Sequence, residues 1–144
     1  MNDYNKVYAV IDTNVLVSAL LTSTSSSNPF IILKAIYNKN IVPIFNDTIL
    51  LEYKEVLMRP KFHLSPRQVE LVLNFIVSNG IPKVPVQTDI TIDFPDIKDI
   101  VFYEVRMAVD DSYLITGNKK HFPTKPFVVT PTEMVEILRE KGLI

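Results

Sequence analysis

A chain of 144 residues, 47% of them hydrophobic, is long enough to bury a core without disulfides or a structural metal. Cysteine is absent, which excludes disulfide frameworks, thiolate nucleophiles and zinc–thiolate sites and leaves oxygen and nitrogen chemistry. With Lys+Arg at 15 against Asp+Glu at 16, the formal net charge is -1, so no global positive field draws the chain onto nucleic acid and any such contact must come from a local patch.

The longest apolar stretches, such as Val7 to Ile11, fall far short of the roughly 18 residues a membrane span needs. The N-terminus opens on polar Asn2, Asp3 and Asn5. One soluble, cytoplasmic domain over residues 1–144 is therefore expected, with no membrane partner.

Val7 to Ile11 is a β-prone run ending at Asp12, and Val15, Leu16, Ala19 and Leu20 follow at helical spacing, so a strand feeds a helix. Thr22 to Ser27 is nearly all serine and threonine, whose hydroxyls compete for backbone hydrogen bonds, and predicts a mobile loop. Asn28 as N-cap, with Pro29 at the first position, starts a second helix that turns Ile31, Ile32, Ala35 and Ile36 inward. Ile41 to Phe45 predicts a buried strand. Asn46 or Asp47 then caps a helix carrying Ile49, Leu50, Tyr53, Val56 and Leu57 until Arg59-Pro60 stops it.

Ser65-Pro66 opens a helix through Val69, Val72, Leu73 and Ile76 to Asn79-Gly80, a pair typical of a helix C-terminus. Pro82 and Pro85 limit Ile81 to Val86 to a short or edge strand. Asp96 to Asp99 leads into a helix over Ile100, Val101, Tyr103, Glu104 and Met107, whose positive dipole end favours acids. Ser112 to Ile115 and Phe127 to Thr130 supply the last strands, and Pro131-Thr132-Glu133 opens a terminal helix. This alternation predicts a mainly parallel sheet with helices on both faces, an α/β class of three layers, α/β/α.

In such a sheet, chemistry collects at the carboxyl ends of strands, where strand order reverses and a crevice opens. Asp12 sits at one strand end. Asn118 follows another, in Ile115-Thr116-Gly117-Asn118, and Asp99 begins the helix leading into that strand. Glu52 reaches the same crevice if the second strand lies beside the first. Grouped carboxylates repel, by roughly 4 kcal/mol at about 4 Å and an effective dielectric of about 20. A cation offsets this, and an oxygen-only set suits Mg²⁺ or Mn²⁺ better than zinc. Such an ion activates water and stabilises charge on phosphate oxygens, which permits phosphodiester hydrolysis without a protein nucleophile.

Val10-Ile11-Asp12-Thr13-Asn14-Val15-Leu16 resembles the opening motif of the PIN-domain family. Leu51-Glu52-Tyr53-Lys54-Glu55-Val56-Leu57 resembles its second acidic helix, and Asp96-Ile97-Lys98-Asp99 followed by Ile115-Thr116-Gly117-Asn118 its closing pair. The resemblance to the toxin components of toxin–antitoxin pairs, the VapC-like branch, implies a Mg²⁺-dependent endoribonuclease acting on RNA. It further implies a small antitoxin partner that occupies the crevice or covers its rim, and a homodimer. On that basis Asp12, Glu52 and Asp99 are the family acids, with Asn14 and Thr116 in support. Asn118 stands where many members carry Asp, keeping one oxygen donor but losing a charge. Asp96 either supplies a compensating carboxylate, being three residues from Asp99, or caps the helix.

Each of these residues also has an ordinary reading. Asp12 suits a helix cap, Glu55 rivals Glu52, and Asn118 suits a turn. Lys119 and Lys120, like Arg59 and Lys61, fit either a basic rim for RNA phosphates or solvated helix ends. His121 is not required as a general base where a metal activates water. Tyr53 and Tyr103 fit core packing better than base stacking. A phosphatase or phosphotransferase would need an acid where Asn14 stands; the other rival is a PIN-like binding module that has lost catalysis.

Overall fold

The computed structural model describes residues 6–22, 24, 26–88 and 94–144. Strands β1 (Val7–Ile11), β2 (Ile41–Phe45), β3 (Ile81–Pro82), β4 (Tyr113–Ile115) and β5 (Val128–Val129) form one parallel sheet in the order β3-β2-β1-β4-β5. Val7 lies opposite Ile41, and Ile11 opposite Ile115. Around the sheet lie α1 (Thr13–Leu21), α2 (Asn28–Tyr37), α3 (Asp47–Leu57), α4 (Pro66–Asn79), α5 (Ile100–Arg106) and α6 (Pro131–Glu140). The three-layer α/β/α architecture with a parallel centre is thus the one the alternation predicts. β2 is buried at every residue, which is why it reads as an unbroken apolar run rather than an alternating one.

Local chemistry accounts for the helix starts. Asn46 caps α3 by accepting the Ile49 N–H at 2.9 Å. Ser65 and Gln68 form a reciprocal capping box at α4, as Thr130 and Glu133 do at α6. The cap of α2 is Ser27, whose hydroxyl oxygen accepts the Phe30 N–H, and not Asn28. Asn28 is already helical, its amide donating to Thr132 Oγ1 at 2.8 Å. Within the serine- and threonine-rich stretch read as a loop, residues 23 and 25 lie outside the described residues.

α4 ends at Asn79 with Gly80 as its C-cap, as the Asn79-Gly80 pair predicts, but not through a left-handed backbone. The Gly80 φ of -118° needs no glycine, but a Cβ there would fall 2.3 Å from the Pro43 carbonyl oxygen. The glycine therefore serves the close approach of the α4 end to β2. Among the described residues, three short 3₁₀ turns, Pro60–Phe62, Ile97–Asp99 and Lys119–His121, escaped the sequence reading because three residues carry no periodicity. Among the described residues, no helix is long and apolar enough to cross a membrane.

The chain runs from β1 outward through β2 to β3, then returns to the other side of β1 for β4 and β5. Strand order therefore reverses between β1 and β4. Their carboxyl ends carry Asp12 and Thr116.

Candidate active site

Asp12 follows β1, and its backbone N–H donates to the Ile115 carbonyl at 2.9 Å, which ties it to the end of β4. It stands at the N-cap of α1, yet its side chain makes no cap hydrogen bond. Instead its Oδ2 accepts from the Thr116 hydroxyl at 2.7 Å. Thr116 Oγ1 in turn accepts the Asn118 N–H at 3.1 Å. Burial raises the pKa of Asp12 and the Glu52 charge adds to this, while the Thr116 hydroxyl and the Thr13 N–H act the other way.

Glu52 lies mid-way along α3, which starts directly after β2, the neighbour of β1. Its Oε2 accepts from the Thr13 hydroxyl at 2.6 Å. The next residue, Tyr53, is fully buried, packs near Phe102 and donates its hydroxyl to the Ile11 carbonyl at 2.5 Å. Two side chains thus pin α3 to the end of β1. Glu55, the rival acid, is exposed and shares with Glu52 a shallow cleft that Leu51, Ile97 and Lys98 also line.

Asp96 is exposed, and its Oδ1 accepts the Lys98 N–H at 3.0 Å, so it caps the 3₁₀ turn ahead of α5. Asp99 ends that turn. Its Oδ2 is buried without a hydrogen-bond donor among the described residues, and the imidazole Nδ1 of His121 stands 3.5 Å away. Burial pushes the Asp99 pKa up to about 6, helped by the charges of Asp12, Asp96 and Glu52 and partly offset by His121. Repulsion from all three acids means that they share the electrostatic space of Asp99.

As the side chains stand, no three His, Asp or Glu groups among the described residues are gathered closely enough to hold a metal ion. Thr116 and Thr13 hold Asp12 and Glu52, and Asp99 leans toward His121. The donor set nonetheless fits a cation. A buried carboxylate oxygen without a donor among the described residues, on a group raised in pKa chiefly by burial and further by three acids, is a place where a positive charge would be favourable.

Asn118 caps the Lys119–His121 turn: its Oδ1 accepts the Lys120 N–H at 3.2 Å, and its amide lies 3.0 Å from His121 Nε2. Lys119 pairs with Glu133 at 3.2 Å, whereas Lys120 is exposed. Asn14 is exposed on the first turn of α1. Arg59 and Lys61 come roughly two helical turns after Glu52, with Lys61 over the Phe62 ring. The fold thus places Asp12 and Glu52 within reach of the Asp99 charge, with Thr116 hydrogen-bonded to Asp12 and Asn118 to Thr116. Thr13 was missed by the sequence reading, because its link to Glu52 spans 39 positions and leaves no local signal.

A parallel α/β/α sandwich with its acids at the point of strand reversal belongs to the class that does its chemistry in that crevice. The protein-family model of the PIN domain matches residues 8–120, and the chain belongs to the PIN-domain family. PIN domains are generally nucleases and generally use divalent metal ions. Asp12, Glu52, Asp99 and Asn118 all lie inside the matched span. No curated protein matches the chain.

Proposed function

We propose that this PIN-domain protein is a metal-dependent endoribonuclease that hydrolyses RNA phosphodiester bonds and acts as the toxin of a toxin–antitoxin pair. The observation that carries the nuclease reading is Asp99 Oδ2, buried without a donor among the described residues and facing the repulsion of Asp12, Asp96 and Glu52. Asp12, Glu52 and Asp99 would hold Mg²⁺ or Mn²⁺, with Asn118 and Asp96 at the margin. When bound, such an ion supplies an acidified water and a positive charge for the phosphate oxygens.

The chain's own groups have separate tasks. Thr116 and Thr13 orient Asp12 and Glu52, and Tyr53 holds α3 in place beneath them. Lys120, exposed beside Asn118, meets the RNA backbone; Lys119 does so only by leaving Glu133. Asn14 lies within reach of substrate on the exposed first turn of α1.

Support for the toxin assignment comes from the motif resemblance together with an apolar groove between α1, α2 and α4. Leu20, Phe30, Leu33, Tyr37, Leu71 and Phe75 line it, and it suits an apolar antitoxin segment. A cytoplasmic location, one domain over 1–144 and a homodimer belong to the same proposal.

A weakened PIN-like binding module is the second reading. It is favoured by Asn118, whose oxygen already accepts the Lys120 N–H and which brings no charge. A labelled mixed-sequence RNA incubated in Mg²⁺, Mn²⁺ or EDTA separates the two. Metal-dependent cleavage that disappears in Asp12→Asn supports the nuclease, and a folded wild type that binds Mn²⁺ without cleaving supports the module. Growth arrest on expression, relieved by Asp12→Asn, tests the toxin role.

A further inference from the structure

We propose that the cleft between α3 and the turn ahead of α5 is a nucleobase subsite: it takes an amino-bearing base of single-stranded RNA, adenine or cytosine, in preference to uracil, and Glu55 reads the amine. This inference rests on the RNA-cleaving reading above and deepens it by naming a substrate class.

Thr48, Leu51, Glu52 and Glu55 form one wall of the cleft, and Ile97, Lys98 and Val101 the other. Helical neighbours three and four apart share a face, so the α3 wall is one continuous stripe. The cleft holds about 320 Å³. That is the low end of the roughly 300–1,000 Å³ usual for ligand cavities, and it suits a single base rather than a duplex. Leu51 and Ile97, on opposite walls, are 67% and 78% exposed. They give the cleft two apolar surfaces that nothing among the described residues covers, and a splayed base is held between such side chains.

Charge decides which part of the RNA enters. Two carboxylates, Glu52 and Glu55, face one ammonium, Lys98, so a phosphate is repelled and a neutral base is not. The two acids also mark the ends of the cleft. Glu52 contributes to the charge felt by Asp12 and Asp99, whereas Glu55 does not, so Glu52 borders the acid group and Glu55 lies a helical turn further along α3. A nucleotide beside the scissile phosphate therefore has its base at Glu55. Glu55 makes no ion pair among the described residues. Its carboxylate only accepts, which matches the N4 amine of cytosine and the N6 amine of adenine; uracil presents its O4 acceptor at that edge and is repelled.

The test is binding, not cleavage. Fluorescent single-stranded hexanucleotides of adenine, cytosine or uracil are titrated with the purified full chain in EDTA at low salt and read by anisotropy, with folding checked by circular dichroism. Leu51, Glu55 and Ile97 are all exposed, so their substitution spares the core. The wild type should bind the adenine and cytosine oligomers about five-fold more tightly than the uracil one. Glu55→Gln, whose amide both donates and accepts, should bring the three level, and Leu51→Ala and Ile97→Ala should weaken all three about three-fold. Equal binding by the wild type, or a preference that survives Glu55→Gln, overturns the inference. Affinities untouched by Leu51→Ala and Ile97→Ala also overturn it and leave the cleft to a protein partner. No RNA binding by the folded chain, either in EDTA or with Mg²⁺ in the Asp12→Asn variant, would overturn the RNA reading itself, whereas binding without base preference would overturn the subsite alone.

Discussion

Two acids at helix starts show how differently this fold treats a carboxylate. Glu133, in the first turn of α6, accepts the Thr130 N–H at 2.9 Å and pairs with Lys119, and the backbone hydrogen bond leads the lowering of its pKa. Asp99, just ahead of α5, has a buried oxygen without a donor and a pKa pushed up to about 6, chiefly by burial. Glu133 is satisfied by its own helix and belongs to the architecture. Asp99 is left unsatisfied within reach of other acids' charge, an environment that the proposed cation would relieve. On the proposed reading, the contrast separates an acid that builds the fold from one that the fold holds for chemistry.

The sharpest way to break the contrast is at the crevice. Asp12→Asn should lower metal-dependent RNA cleavage by about 100-fold or more, because it removes a ligand charge while keeping the shape that Thr116 recognises. Glu133→Gln should leave cleavage near the wild-type rate in the same assay. Equal loss in both would mean that the two acids are not functionally distinct.

Metal binding should also appear as stability. Mn²⁺ at about one hundred times its dissociation constant should stabilise the folded protein by about 2.7 kcal/mol, read as a shift in the thermal midpoint. That shift should shrink strongly in Asp99→Asn and persist in Glu133→Gln. A shift that survives loss of Asp99 would place the ion elsewhere.

Without metal, Asp99 should be a burden. Its folded pKa of about 6 lies above the ordinary aspartate value of 3.8, so between those values the native state binds more protons than the unfolded chain. Stability should therefore be highest below the unfolded pKa and decline as pH rises toward about 6. Asp99→Asn should remove this decline and gain about 1 kcal/mol at neutral pH once solvent screening is allowed for, or roughly 2–4 °C in midpoint. Midpoints of metal-free wild type and variant across that pH range provide the measurement; a wild type as stable at neutral pH as in acid would count against the strain.

The sequence exposed most of the framework because its signals were local. Apolar runs marked β1 and β2, and the Ser-Pro and Pro-Thr-Glu starts marked α4 and α6. Asp12 and Thr116 were legible since both follow β-prone runs, and a parallel sheet gathers its strand ends. The Thr13 link to Glu52 joins residues 39 positions apart through one hydroxyl, and no pattern in the chain encodes it. Gly80 misled in kind: glycine after a helix suggests a left-handed cap, but the requirement comes from Pro43 on a neighbouring strand. Asn28 misled by one place, because Ser27 sits two residues before Pro29 and takes the cap.

The smallest effect should come from the satisfied acid. Glu133 has a depressed pKa, so its contribution is present above the ordinary glutamate range and is lost as pH falls through the lowered folded value. Its side chain is nearly half exposed, which keeps the Lys119 pair weak, and most of the benefit comes from the Thr130 N–H at the positive end of α6. Glu133→Gln keeps an acceptor but not the charge, and should cost a few tenths of a kcal/mol at neutral pH and almost nothing in acid. Urea midpoints for wild type and variant should therefore converge as the pH is lowered. Asp99→Asn and wild type should also converge in acid, but from the opposite side, with the variant the more stable at neutral pH. Two acid-to-amide changes of opposite sign in one small protein would show that hydrogen-bond supply and neighbouring charge, rather than residue type, decide which carboxylates the fold can use.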